Sequence, residues 1–323
     1  MRRRRVSGRG RLGTGLTPAA GAAVMSTGIL STATESAGLT VLSWLLLALA
    51  VAGGLVLGTH LVVRWATDRA GWLADAATPA SLTGVAATTV IGGRVTAAGW
   101  TGPAWLLLAV AALLWVVLLP RVLRHRQVPT VGGSFLVCVA TQGLAVLSAT
   151  LAGAAGSRPA LSAGVAAFLL GLVLYAGVLA RFDWRQLAVG AGDQWVAAGA
   201  LAITSLAGAH LVLAADRLGT PGRVVGPLRA LDLAVWGLTL GGYAVLLACE
   251  LRWPRRHYDV RRWATVFPLG MTAAAGFAVA EAERLPALAR VGQVLLWPAL
   301  AAWVLTAAGA AAALLRRGPA APG

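Results

Sequence analysis

The chain has 323 residues, of which 58% are hydrophobic and 12% charged, where a soluble domain carries about a quarter charged residues. That balance excludes a soluble globular protein, and the two cysteines, Cys138 and Cys249, both inside apolar runs, give neither a disulfide framework nor a zinc site. A net charge of +16 would suit nucleic acid, but all 27 basic residues are Arg, scattered between the apolar runs; this speaks for membrane topology and anionic headgroups as partners, with no nucleic acid.

In hydrocarbon every backbone amide must be paired within the structure. Apolar runs of about twenty residues, rich in Ala and Leu, match helical spans and not the short alternating strands of a barrel. The expected class is therefore all-α integral membrane, with ten transmembrane helices over residues 19–38, 39–63, 80–98, 103–123, 131–154, 159–180, 194–213, 228–251, 263–282 and 287–315. These form one transmembrane domain, 19–315, between a basic cytoplasmic segment, 1–18, and a short cytoplasmic tail, 316–323. The basic start also has a second reading, as a cleaved signal peptide.

The arginines orient the parse. With the amino terminus inside, the cytoplasmic segments hold Arg2 to Arg5, Arg9, Arg11, Arg64, Arg69, Arg121, Arg124, Arg126, Arg181, Arg185, five between Arg252 and Arg262, Arg316 and Arg317. The opposite side holds Arg158, Arg217, Arg223, Arg229, Arg284 and Arg290. The positive-inside rule then places both termini in the cytoplasm of a multi-pass cell-membrane protein.

Odd and even spans differ in composition. The even spans contain 38 Leu and 6 Ser or Thr, the odd ones 11 Leu and 19 Ser or Thr. Leucine suits a lipid-facing helix, whereas Ala, Gly, Ser and Thr allow close approach and can line a narrow polar passage. Strict alternation implies five small-residue helices inside five leucine-rich ones. For any single odd span, tight packing alone is an equal explanation.

Four stretches on odd spans carry a resemblance: Val24-Met25-Ser26-Thr27-Gly28-Ile29-Leu30-Ser31, Ala140-Thr141-Gln142-Gly143-Leu144-Ala145-Val146-Leu147, Ala202-Ile203-Thr204-Ser205-Leu206-Ala207-Gly208 and Trp263-Ala264-Thr265-Val266-Phe267-Pro268-Leu269-Gly270-Met271. In that order they resemble the tellurite-resistance and C4-dicarboxylate transporter family, which includes the plant slow anion channels. The resemblance implies five helical hairpins about a central pore, odd helices inside, and a homotrimer with one pore per protomer. It also implies an aromatic gate in the ninth helix, which here matches Phe267, and no cofactor. Pro268 removes an intrahelical amide beside that ring; an ordinary core Phe beside a tolerated membrane proline is the alternative. The family's polar opening of the fifth span is replaced by Gly132-Gly133-Ser134-Phe135, and a Tyr after Gly-Met in the ninth by Thr272.

The pore-lining candidates are Ser26, Thr27, Gly28, Thr141, Thr204 and Thr272, whose backbone and hydroxyl groups can replace part of an anion's hydration shell. Arg94, inside the third span, either attracts anions to the pore mouth or snorkels to headgroups. Asp232 and Glu250 are read as interfacial partners of Arg, Asp193 as a helix cap, and Glu35 and Glu281 as shaping an entrance potential. His60 and His210 lie on different spans without a carboxylate at ligand spacing, so no metal is expected. The function expected is movement of small anions, namely monovalent anions, C4-dicarboxylates or oxyanions, by a gated channel; a proton-coupled dicarboxylate carrier is the alternative. An intramembrane enzyme is a remote third reading, with Ser134 and His210 as its nearest nucleophile and base, and an assembly protein a fourth.

Overall fold

The structure is a computed structural model that describes residues 20–125, 128–254 and 259–316. The basic segment 1–18, the tail beyond Arg316, and Arg126, Arg255 and Arg256 lie outside the described residues. Ten long helices follow one another: α1 (Gly21–Ser36), α2 (Thr40–Thr67), α3 (Thr83–Ala97), α4 (Thr101–Arg124), α5 (Leu136–Ala155), α6 (Arg158–Leu179), α7 (Val196–Arg217), α8 (Gly222–Arg252), α9 (Trp263–Ala282) and α10 (Pro286–Leu315). Two short helices, Arg69–Ala76 and Gln186–Val189, interrupt connections that sequence reading leaves as loops. The described residues contain no strand, just an isolated bridge between Thr130 and Phe182.

Eight of the ten are long and apolar enough to cross a membrane. The exceptions are α1 and α3, of 16 and 15 residues. At 1.5 Å per residue these reach roughly 24 Å, short of a roughly 30 Å hydrocarbon core. Both are also rich in Gly, Ser and Thr, which lowers their hydropathy. Residues Pro79–Leu82 add a 3₁₀ turn before α3.

Each odd helix packs against the even helix that follows it. The odd helices also touch one another in a closed circuit, α1 to α3, α3 to α5, α5 to α7, α7 to α9 and α9 back to α1. Burial follows this order. In α5, α7 and α9 between 78% and 89% of the most apolar stretch is buried, against 17% to 33% in the five even helices. The composition contrast is thus a contrast of surroundings: leucine where a side chain faces outwards, small residues where helix meets helix.

All five reversals from an odd to an even helix use one device. The chain passes through a left-handed residue at Gly38, Gly99, Gly156, Gly219 and Arg284, with φ from 57° to 88°. An amide five residues further on then caps the helix each time: Leu39 to Thr34, Trp100 to Val95, Ser157 to Ala152, Thr220 to Ala215 and Leu285 to Ala280, at 2.8–3.1 Å. This is the Schellman closure, which satisfies carbonyls that the helix end would otherwise leave bare. This side is the turn end of the molecule. The other, the loop end, carries the longer even-to-odd connections, held by ion pairs such as Arg64–Asp75 at 2.5 Å and Arg262–Glu250 at 2.8 Å.

Candidate functional site: a cavity inside the ring of odd helices

The five odd helices, with Pro286 and Ala289 at the start of α10, line a cavity of about 550 Å³ that reaches the turn end. Each contributes residues spaced three or four apart, which is one helix face: Ile29, Thr32 and Ser36 from α1; Val90, Gly93 and Ala97 from α3; Gly143, Val146 and Thr150 from α5; Ile203, Leu206 and His210 from α7; and Met271, Ala274, Ala278 and Glu281 from α9. On every one of the five the lining runs from about mid-helix to the carboxyl-terminal half, so the five run parallel. Glu281 stands at the exposed mouth, 3.8 Å from Arg217.

Continuing these faces towards the loop end reaches Met25, Ala86, Val139, Gly199 and Phe267, each four residues before Ile29, Val90, Gly143, Ile203 and Met271 respectively. Met25, Ala86, Val139 and Phe267 have no exposed surface. The cavity is therefore blind, and Phe267, one turn below Met271, continues its α9 wall. Pro268 beside it packs on α7 so closely that a Cβ at Gly199 would lie 2.7 Å from its ring. Although Pro268 lacks an amide hydrogen, α9 runs unbroken from Trp263 to Ala282, and Thr272 donates to the Pro268 carbonyl at 2.8 Å.

The hydroxyls singled out from sequence face elsewhere than this cavity. Ser26 contacts the carbonyls of Ala22 at 2.6 Å and Trp263 at 2.9 Å, tying α1 to α9. Thr27 donates to Ala23 and accepts from the Trp303 indole at 2.9 Å, towards α10. Thr141 donates to Val137 and accepts from the Trp115 indole at 2.9 Å, towards α4. Thr204 donates to Ala200 at 2.6 Å. Gly28 meets α3, where a Cβ would lie 2.9 Å from Val90. The polar groups that do line the cavity are Thr32, Ser36, Thr89, Thr150, His210 and Glu281. For Thr32, Ser36, Thr150 and His210 the signal was the continuation of a motif by one or two turns towards its carboxyl end; Thr89 and Glu281 had no such signal.

Arg94 is 1% exposed and turned from the cavity into the seam between α1, α2 and α3. Its guanidinium bonds Glu35 at 2.9 Å and Ser43 at 3.0 Å and lies over the Trp44 ring at 4.9 Å. Glu35 is thus engaged by Arg94 while its side chain stays 37% exposed. Glu250 pairs with Arg262, as its position predicts. Asp232 departs from its expected interfacial pairing with Arg: it is 1% exposed and accepts from Ser205 at 3.0 Å across the α7–α8 contact, because it lies a full turn and more inside α8. Asp193 opens a 3₁₀ turn before α7, whose cap position is Gly192 and makes no side-chain cap bond. Ser134 sits at the loop end beneath α5, where it accepts from the Val131 amide, in a second cavity of about 490 Å³; His210 is at the other end of the ring. The described residues hold no group of three or more His, Cys, Asp and Glu fit for a metal ion.

These features define a polytopic helical membrane protein whose small-residue helices surround an axial cavity. The model of the voltage-dependent anion channel family, SLAC1, matches residues 15–311, and the chain belongs to that family, the tellurite-resistance and C4-dicarboxylate transporter group to which its motifs pointed. It is also 36% identical over 121 residues to two uncharacterized membrane proteins of Mycobacterium tuberculosis, MT1776 of strain CDC 1551 / Oshkosh and Rv1735c of strain H37Rv. Those matches take in 35% of this chain and 59% of the relatives' own length.

Proposed function

We propose that the protein is an anion channel in which small monovalent anions pass along the axis of the ring and Phe267 is the gate. The observation that carries this reading is the blind cavity: five parallel inner helices line it, and its α9 face ends on a fully buried aromatic ring. A hydrophobic constriction of that kind closes a pore by excluding water. The proposal includes ten membrane crossings as five hairpins within one domain, 19–315. The arginine-rich loop end and both termini lie in the cytoplasm of a cell-membrane protein, and homotrimeric assembly is part of the same family reading. Pro268 fixes the helix at the gate.

The pore-lining set is revised to the cavity residues Thr32, Ser36, Thr89, Thr150 and His210. The hydroxyls of Ser26, Thr27 and Thr141, with the close-packed Gly28, hold the helices around the gate, Thr204 and Thr272 bond carbonyls of their own helices, and Arg94 positions α1 against α3. A proton-coupled carrier of C4-dicarboxylates is the second reading, favoured by one observation: the cavity wall contains an imidazole, at His210. An enzyme is disfavoured by the separation of Ser134 from His210. Nitrate and chloride flux into liposomes tests the gate. Phe267→Ala should raise flux by about tenfold or more, since removing roughly 1.4 kcal/mol from a barrier gives that factor. Equal, near-background flux from both forms, with malate uptake driven by a proton gradient, would replace the gate by the carrier reading.

A further inference from the structure

We propose that His210, with Thr150, forms a proton-linked binding site for one small monovalent anion inside the cavity. This rests on reading the cavity as the anion's path, and it supplies what that path otherwise lacks, a hydrogen-bond donor facing the lumen.

The hydroxyl protons in the cavity wall are committed to backbone. Thr89 donates to Ala86 at 2.9 Å, Ser36 to Thr32 at 3.2 Å and Thr150 to Val146 at 2.8 Å, while Thr32 points its proton at Gly28. What these groups turn to the lumen is lone pairs, which repel anions. His210 is half-buried, and its Nδ1 lies 3.4 Å from the Thr150 hydroxyl oxygen. With its own proton on Val146, Thr150 can only accept, so Nδ1 carries the ring hydrogen of the neutral imidazole. Nε2 has no protein partner among the described residues and is left with a lone pair.

A neutral His210 therefore adds one more acceptor to the wall, whereas a protonated one adds a charged N–H donor. A proton from water reaching Nε2 and an anion reaching the same atom from the lumen favour each other, and the linkage is reciprocal. The charges around the ring act in both directions. Arg217, two turns on along α7, opposes a second positive charge at His210, and Glu281 of α9, 3.8 Å from it at the exposed mouth, offsets part of that opposition. Asp232 of α8 lies behind α7 on Ser205, and α5 offers Thr150 and no titratable group at this level. Arg158 of α6 bonds the Leu218 carbonyl outside the cavity. From α1, Glu35 is turned away to Arg94.

The test uses the full chain in liposomes, as wild type and with Phe267→Ala, each with and without His210→Asn, which keeps a polar side chain that does not titrate. Acidifying the cavity side from about pH 8 to about pH 3.5, through and below the range over which an exposed histidine changes charge, should raise nitrate flux by about fivefold or more, and His210→Asn should flatten that profile. In parallel, ¹⁵N-histidine spectra of the protein in micelles, with the His210 signal assigned by its loss in His210→Asn, should show nitrate moving its titration midpoint to higher pH. Coincident pH profiles with and without His210, or a midpoint indifferent to nitrate, would overturn the site. Absence of anion flux from every form at every pH would overturn the channel instead, and the spectra would still decide whether His210 binds nitrate.

Discussion

At the turn end, the odd helices reverse within two to four residues on a left-handed turn, and the space between them is open. At the loop end the connections run to ten residues or more, carry short helices and arginines, and sit above inner helices that close completely. The same five helices thus diverge at one end and seal at the other. The glycines show why. Gly93, on the cavity wall, has nothing within 4 Å of where a Cβ would be, whereas one at Gly132, below α5, would fall 2.1 Å from the backbone oxygen of Asp193. Gly132 marks a contact between backbones and Gly93 open space, although the turn half has a backbone contact of its own where α9 meets α10 at Gly276 and Gly292.

The largest test of this contrast pairs those two glycines. Gly132→Ala forces apart two backbone segments and should cost about 3 kcal/mol, at the upper end of overpacking effects, read as a marked fall in melting temperature in detergent. Gly93→Leu should leave that temperature nearly unchanged while lowering anion flux, since its side chain extends into the cavity. Similar melting for both would mean that the closed end repacks freely and the contrast is not real.

A smaller effect sharpens the turn end. Arg284 occupies the left-handed position that glycine fills in the other four reversals, and its ion-pair distance to Asp216 is a loose 3.9 Å. Left-handed backbone costs a residue with a Cβ about 1–2 kcal/mol. Glycine's greater freedom in the unfolded chain offsets part of the relief, so Arg284→Gly should raise stability by about 0.5–1 kcal/mol. A lower melting temperature would show that the arginine's contacts outweigh its backbone.

The smallest effect is at the loop end. Asp259 accepts from the Arg261 amide at 2.8 Å and pairs with its guanidinium at 3.0 Å. The hydrogen bond from the Arg261 side chain holds the Asp259 carboxyl below its ordinary range, against some desolvation. A carboxylate with a lowered folded pKa stabilises above its unfolded value and loses that contribution as pH falls through the folded one. For so exposed a pair the gain is under about 1 kcal/mol. Asp259→Asn should melt slightly below wild type at neutral pH, with the gap closing in acid; a gap that persists in acid would assign the effect to shape and not to charge.

Much of this architecture was legible in the sequence because leucine and hydroxyl content sort helices by what surrounds them. The odd helices are buried and the even ones face outwards, as their composition predicts. The cavity-facing residues were harder to read for a physical reason. An inner helix is apolar and small on every side, so no amphipathic period marks the face turned to the axis. Thr141 and Thr150 look alike in sequence, yet one caps the Trp115 indole and the other lines the cavity. Arg94 misled for a related reason: its partners Glu35, Ser43 and Trp44 lie 50 to 59 residues away in the chain. Phe267 could be singled out as a gate candidate because the motif around it is local.

The parallel run of the inner helices has an electrical consequence. Each helix carries a macrodipole of roughly half an elementary charge at either terminus, and five point the same way. Their positive poles gather at the sealed loop end and their negative poles around the open mouth; the even helices run the other way and offset part of this, but they lie outside the ring, so a net potential slope along the axis remains. In identical salt on both faces, opposite voltages should drive unequal currents, a diode-like asymmetry that arises from the peptide backbone and would survive substitution of any one side chain.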